Sequence, residues 1–213
     1  MQAINGVDGI FYIIVLIMSV VVHEVAHGYT AYLLGDNTAR LEGRLTLNPL
    51  KHLDLFGSII LPLLLILSHA NFLIGWAKPV PYNPANLRDR KKGTLLVAIA
   101  GIIANLIIAV FFGLLIRFSP SLLGSSVDNS FYQITSMIVL LNLVLAVFNL
   151  IPIPPLDGSK VLFTFVPYRY RHIENFLEKW GMFFLLFFIL TLWIKVSPII
   201  SIIFHFITGV SLI

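Results

Sequence analysis

Apolar residues along the chain come in long runs, and the polar residues that part them fall in short, mostly basic connections. The first run reaches from about Ile10 to Leu34 and is closed by Gly35, a good residue for a helix C-terminus. At 1.5 Å per residue it is long enough to cross a bilayer, and so are 94–117 and 131–151. Two closing runs, 180–194 and 196–213, are separated by Lys195 and Pro198 and are expected to cross as well. The apolar stretch 55–67 falls short of the roughly 20 residues a crossing needs and contains Pro62. It is followed by Ser68-His69-Ala70-Asn71 and a second apolar stretch up to Trp76, so 55–76 is expected to enter the membrane and return on the same side. Residues 36–54 are polar and alternate in part (Arg40-Leu41-Glu42-Gly43-Arg44-Leu45), which predicts a short interfacial β-like hairpin over 36–50. The expectation is an all-α polytopic membrane protein of about five transmembrane helices, plus the re-entrant segment and the hairpin.

Composition agrees with that pattern. The chain is 58% hydrophobic and 11% charged, against about 25% charged in soluble domains. No stretch is long enough for a second, soluble domain. A formal net charge of +4 does not point to nucleic acid, because the basic residues lie in the connections between apolar runs. Their distribution orients the chain. Residues 35–54 hold Arg40, Arg44 and Lys51; 77–93 hold Lys78, Arg88, Arg90, Lys91 and Lys92; 152–179 hold Lys160, Arg169, Arg171 and Lys179. With 55–76 re-entrant and the N-terminus outside, these twelve of the fourteen Lys and Arg residues lie on the cytoplasmic side. The N-terminus lacks a basic region and a small-residue cleavage site, and is expected to be a retained span. There is no cysteine, so disulfides and thiolate ligands are excluded and a metal would be held by histidine and carboxylate.

The candidate chemistry sits in the first run. Residues 10–22 carry no charge, and then His23-Glu24-Val25-Ala26-His27 places three ionisable groups in little more than one turn. Positions i and i+4 share a helix face, so both imidazoles can reach one metal ion. Glu24 lies about 100° around the helix from His23, within reach of a metal-bound water. This is the H-E-x-x-H arrangement of zinc hydrolases, with two ligands and a general base. A lone histidine in an apolar helix is more often a packing residue. Burying three ionisable groups at membrane depth is costly, however, and marks a functional site. Counting back from Leu34, His23 is roughly 16 Å inside the run.

A catalytic zinc takes three protein ligands and keeps one position open. Of the acidic residues, only Glu24 and Asp157 are closely flanked by apolar residues on both sides. Asp157 follows Pro152, Pro154 and Pro155, which break the preceding helix, and irregular backbone at membrane depth is tolerated only where it is buried or lines a cavity. Taken alone, Asp157-Gly158 is an interfacial turn with the aspartate capping the next helix. Beside an intramembrane H-E-x-x-H it is also the missing third ligand.

HEVAH in an early run, AGIIAN (Ala100–Asn105) in a middle one and NLIPIPPLDG (Asn149–Gly158) in a later one together resemble the site-2 protease family of intramembrane zinc metalloproteases. GWAKPVPYNP is similar to the corresponding loop of its compact bacterial and archaeal branch. The resemblance covers about residues 19–162. It implies one zinc per chain on His23, His27 and Asp157, with Glu24 as catalytic base and Asn149 beside the scissile carbonyl. It also implies membrane-spanning protein substrates cut within or near the bilayer, as in regulated intramembrane proteolysis, in a multi-pass protein of the cell membrane whose active site opens toward the cytoplasm. The whole of 1–213 then forms one membrane-embedded protease domain, with a catalytic core at about 10–166 and accessory C-terminal helices at about 175–213. Two departures stand out. Ile102 occupies the position of the proline in the family's G-P-x-x-N motif, and the chain holds no stretch for a PDZ or CBS domain.

Two other classes share some of these features. A metal or proton transporter would use an intramembrane His/Asp cluster, but would repeat polar residues along a path, often within internal repeats. A non-catalytic scaffold of the same fold would need no base, whereas Glu24 is present. His52, His69, His172 and His205 lie in loops, a polar kink or a terminal run and are read as non-ligands. Asn142, in mid-span, suits an interhelical hydrogen bond, and Phe183–Phe188 is apolar bulk.

Overall fold

The computed structural model describes residues 6–68, 76–123 and 129–211. Helix α1, Gly6–Leu33, contains the first apolar run. Val15, Ser19, His23, His27 and Ala31 recur every fourth residue and are buried, while Tyr12, Ile13, Ile14, Met18 and Tyr29 face outward. Gly35, at φ 111°, ends the helix: its N–H bonds the Tyr32 carbonyl and the Asp36 N–H bonds that of Ala31. This left-handed turn satisfies two carbonyls that the helix leaves open, and glycine adopts it without a Cβ penalty.

Helices α4, Arg90–Leu123, and α5, Asn129–Asn149, pack against α1 and each other. Between helices in lipid the apolar drive is weak and close packing takes over. The face of α4 toward its neighbours accordingly carries small or compact residues, Ala98, Gly101, Asn105, Ala109 and Gly113. Asn142 of α5 donates to Ser19 Oγ of α1 at 2.9 Å, the interhelical bond expected of it.

The C-terminal region differs from the expectation of about five spans. Helix α7, Arg171–Thr191, meets helix α8, Trp193–Thr208, at a bend of 69°. The break falls at Leu192, while Lys195 and Pro198 lie inside α8. Among the described residues three helices are long and apolar enough to cross a membrane, or four if the bent pair is one span. The reason is length and charge. Helix α8 has 16 residues, about 24 Å of helix, and the first half of α7 carries Arg171, Glu174, Glu178 and Lys179. Helix α8 lies along α4 and α5. Its Trp193 ring meets Phe148 with centroids 5.6 Å apart, and at its other end Arg117 of α4 donates to the Phe206 carbonyl. Ile200 and Phe204 complete a core with Ala109, Ile116, Val139 and Leu143.

Residues 34–54 and 76–89 form a cap at the end of the bundle where α1 stops and α4 begins. The hairpin expected over 36–50 is absent, and no strand occurs among the described residues. Thr38–Leu41 form a short helix, α2, and Gly43, at φ 63°, ends it with the same pair of bonds that ends α1. The alternation of residues 40–45 was outweighed by turn chemistry on both sides: Asp36 Oδ1 accepts from the Thr38 N–H and hydroxyl, and Gly43 takes the left-handed turn.

The segment from 55 begins as a π-helical turn, Leu55–Ile60, and continues as α3, Leu61–Leu67. Residues 69–75, including His69, lie outside the described residues. The chain comes back to where it left: the Trp76 N–H bonds the Gly57 carbonyl at 3.2 Å, and the Lys78 N–H bonds the His52 carbonyl at 2.8 Å. Gly57 has no side chain because the Trp76 indole occupies that space. The segment therefore leaves and rejoins the same end of the bundle.

From Trp76 to Asn83 the chain runs as an extended strap across the C-terminal end of α1. Arg44, turned inward and buried, donates to the carbonyls of Lys78 (2.8 Å), Pro79 (3.1 Å) and Lys51. His52, also buried, contacts the Thr46 carbonyl through Nε2 and is a structural residue of the cap. Asp36, fully buried, accepts from the Asn83 N–H at 2.7 Å and from the Asn86 amide at 2.8 Å. Burial pushes the Asp36 carboxyl up, but the bonds from Thr38, Asn86 and Asn83 outweigh it and hold it below the ordinary value of 3.8.

A carboxylate with a depressed folded-state pKa stabilises the fold above its unfolded value and ceases to do so as pH falls through the folded one. Asp36→Ala is expected to cost about 2–4 kcal/mol, since it leaves several buried donors without an acceptor. Thermal unfolding in detergent and tryptic cleavage after Arg88, where the strap runs on toward α4, measure it. Unchanged melting and unchanged protection of the strap would refute the anchoring role, and the wild-type advantage over Asp36→Ala should fade only at pH below about 4.

Candidate metal centre

His23 and His27 project from the buried face of α1, and Asp157 is the first residue of helix α6, Asp157–Phe165. The fold brings these residues together across 130 positions of sequence. Asp157 Oδ2 lies 3.1 Å from His23 Nε2 and 2.9 Å from His27 Nε2, and the two Nε2 atoms are 3.0 Å apart. The imidazoles stand edge to face, with an interplanar angle of 85°. All three side chains are buried.

Local sequence explains how Asp157 arrives there. Helix α5 stops at Asn149, and the proline-rich link 150–156 crosses back to start α6. Gly158 then packs directly on the Leu150 and Ile151 carbonyls, where any Cβ would collide. The glycine serves a close backbone approach inside α6, and Leu156, not Asp157, holds the N-cap position. Gly181 of α7 likewise seats on the Pro154 carbonyl and closes the link from outside.

The donor set suits a cation. His27 Nδ1 lies 2.6 Å from the Val97 carbonyl, which can only accept, so Nδ1 carries the proton and Nε2 presents its lone pair in the neutral ring. That lone pair faces a second imidazole nitrogen and a carboxylate oxygen, three electron-pair donors turned toward one point. Ligand distances of about 2.0–2.1 Å in a tetrahedral zinc site put ligand atoms roughly 3.3 Å apart. The observed separations of 2.9–3.1 Å are close to that, and the residues present fit zinc. The backbone carbonyl on His27 is the kind of outer partner that fixes a ligand's tautomer.

Three residues that sequence reasoning did not single out complete the setting. A Cβ on Gly101 would stand 2.6 Å from His23 Cε1 and His27 Nε2 and 2.7 Å from His23 Nδ1, so α4 is glycine where it passes the histidines. Lys160 Nζ lies 3.0 Å from Asp157 Oδ1, which leaves Oδ2 to the imidazoles, and 5.9 Å from the Tyr82 ring centroid. Burial would lower the Lys160 ammonium, but the Asp157 carboxylate beside it raises it further and keeps it charged. The third is Val80, whose backbone N–H donates to Glu24 Oε2 at 2.8 Å. The signals were present in part: Gly101 belongs to AGIIAN, and Lys160 stands one turn after Asp157. Val80 was not findable, because a backbone donor has no residue signature.

Asn149, at the last position of α5, gives one amide N–H to the Leu145 carbonyl at 3.0 Å and makes no hydrogen bond to the three clustered residues. Asn105 is fully buried, and neither polar atom of its amide has a hydrogen-bond partner. Beside Lys160 a groove of about 710 Å³ opens between the strap, the start of α4 and α6–α7, lined by Tyr82, Arg90, Lys91, Thr94, Thr164 and Glu174 among others.

Comparison with known proteins places this geometry. Residues 115–192 match the sequence profile of peptidase family M50. The chain is 41% identical over 183 residues to "Putative zinc metalloprotease YwhC" of Bacillus subtilis (strain 168), covering 84% of this chain and 79% of that one. It is 32% identical over 161 residues to "Putative zinc metalloprotease Rip2" of Mycolicibacterium smegmatis and 30% identical over 156 residues to the protein of that name from Mycobacterium tuberculosis (strain H37Rv). Each of these two matches covers 72% of this chain and 57% of the relative, so the chain spans little more than half of their length. No solved structure matches it at a significant level. A multi-pass helical chain with two histidines and an aspartate gathered at a buried point, and a zinc metalloprotease relative matched over most of both lengths, belongs to peptidase family M50, the site-2 protease family.

Proposed function

We propose that the protein is an intramembrane protease that holds one zinc ion on His23, His27 and Asp157 and hydrolyses peptide bonds of membrane-spanning proteins. The observation that carries this is the triangle of Nε2, Nε2 and Oδ2 atoms, 2.9–3.1 Å on a side and buried among helices, with a carboxylate at the intervening position of the same helix. Zinc, when bound, acidifies a water toward pKa 7 and polarises the scissile carbonyl. Glu24 takes the water's proton and passes it to the leaving nitrogen. The Asn149 amide has two N–H groups; one is held by Leu145, and the other can donate to the developing oxyanion. Lys160 holds Asp157 Oδ1 and keeps that carboxylate oriented. The groove beside Lys160 gives an unwound substrate segment a path to the site from the capped end. Substrates of this kind would be cut within or near the bilayer, as in regulated intramembrane proteolysis, and 1–213 would act as one catalytic unit with α7 and α8 as its accessory helices.

Orientation follows from charge. The three basic connections meet at one end of the molecule: the Arg88 N–H bonds the Leu34 carbonyl, and Lys160 lies against Tyr82. The positive-inside rule then puts that end, and the opening to the site, on the cytoplasmic side, with 55–76 dipping into the membrane from it.

Four outcomes are expected. His23→Ala, His27→Ala and Asp157→Ala each lose zinc by elemental analysis, whereas Glu24→Gln keeps zinc and loses proteolysis. Gly101→Ala binds zinc less tightly, because its methyl group displaces both rings. Full zinc in Asp157→Ala would remove that residue from the ligand set. Asn149→Ala should lower kcat by about 10²–10³-fold with little change in KM, as for other oxyanion donors; a loss confined to KM would make it a docking residue. In this cysteine-free chain, single cysteines report sidedness. An impermeant thiol reagent applied outside should label Asn129→Cys and spare Lys91→Cys, and the reverse pattern would overturn the orientation.

A further inference from the structure

The strap has one feature that neither the motif nor the metal cluster accounts for. In Lys78-Pro79-Val80-Pro81, the two prolines have no N–H, so Val80 supplies the only backbone donor between Lys78 and Tyr82. That donor goes to Glu24 Oε2 at 2.8 Å. The contact is held from every side. The Val80 side chain is buried against Gly28 of α1, one turn from Glu24, where a Cβ on the glycine would meet Val80 Cγ1 at 2.6 Å. Just before Val80, the Lys78 and Pro79 carbonyls are held by Arg44 and the Lys78 N–H by the His52 carbonyl. Just after it, the Asn83 N–H is held by Asp36. The prolines fix φ on both sides of the donor, so its direction does not depend on a mobile loop.

Resting on the assignment of Glu24 as the base, we propose that the Val80 N–H is a positioning group for catalysis. It holds the Glu24 carboxylate by one oxygen and leaves the other to take the water's proton. A glutamate has three side-chain torsions, and a base that wanders by an ångström loses its alignment with the proton it must abstract. The strap removes that freedom with a charge-assisted bond from rigid backbone, without adding a second titratable group beside the metal ligands. The Arg44, Asp36 and Gly28 contacts then act on the base through Val80, which makes the cap between α1 and α4 part of the catalytic apparatus.

Proline 79 also makes the contact directly observable. Pro-Val occurs once in the chain, so protein labelled with ¹³C-carbonyl proline and ¹⁵N-valine gives a single amide correlation, that of Val80. In detergent-solubilised protein this amide should be protected from hydrogen exchange. Glu24→Leu, which removes the acceptor, should move its resonance and speed its exchange at least about tenfold, whereas Glu24→Gln, which keeps an acceptor oxygen, should change it less. An unchanged resonance and exchange rate in Glu24→Leu would overturn the contact, whatever the catalytic role of Glu24. The second arm replaces Val80 by α-hydroxyvaline, which removes the N–H and keeps the side chain. The expected result is full zinc content, unchanged KM and a kcat lowered about 10- to 100-fold. Val80→Ala, which keeps the donor but gives up the Cγ1 contact with Gly28, should lose clearly less of kcat than the ester. A wild-type kcat in the ester, or an equal loss in Val80→Ala, would overturn the positioning role. Persistent proteolysis in Glu24→Gln would instead defeat the assignment of the base, and the amide measurement would still report the contact.

Discussion

Two buried imidazoles, a buried carboxylate and the half-buried Glu24 lie together in a bundle whose surroundings are hydrocarbon-like, and the rest of the structure is arranged around that constraint. An isolated charge there costs far more than any single contact returns, so each group must face a partner of opposite need. His27 donates a hydrogen bond from Nδ1 to the Val97 carbonyl, Asp157 divides its oxygens between the imidazoles and Lys160, and Glu24 accepts from Val80. These partners come from α4, α6 and the strap, so the site exists only when those elements are assembled on α1. A cation among the three facing donors would complete the compensation.

The fold meets this demand by bringing backbone close to side chains where bulk is not tolerated. Gly101 lets α4 pass the histidines, Gly158 lets α6 start against the end of α5, and Gly181 seats α7 on the proline-rich link. In soluble proteins such glycines usually mark turns; here they sit inside helices and mark contacts. Helix propensity lost at these positions is offset by packing, since the helices are held by their neighbours.

The cap joins the chemistry to the membrane boundary. The same strap that reaches Glu24 is anchored by Arg44, Asp36 and His52, all buried although they belong to the polar, basic part of the sequence. Their charges and hydrogen bonds are spent inside the protein, which is why a segment that looks like a solvated interfacial loop is well ordered by contacts on both sides. The chain leaves this cap at Asp54 and rejoins it at Trp76 and Lys78, whose N–H groups bond the Gly57 and His52 carbonyls, so that junction and the placement of Glu24 share anchors.

Several elements were legible in the linear chain because they depend on local spacing. HEVAH at i and i+4 places two histidines on one face of α1, and the structure has them there. Prolines 152, 154 and 155 end α5 where a helix cannot continue, and Asp157 begins the next one. A mid-span Asn142 found its partner on another helix. What failed did so for physical reasons. The alternation at 40–45 suggested a hairpin, but the bonds from Thr38 to Asp36 and a left-handed Gly43 made a helical turn, because local hydrogen bonds outweigh a short period-two pattern. The last two apolar runs suggested two crossings, but their bend and the charge in α7 leave one path at most. The meeting of His23, His27 and Asp157 across 130 residues, the glycine that admits α4, and the backbone donor on Glu24 were settled only by tertiary packing. Spacing along a helix fixes which side chains share a face, whereas the partner of a buried charge depends on what the other helices and the strap bring to it.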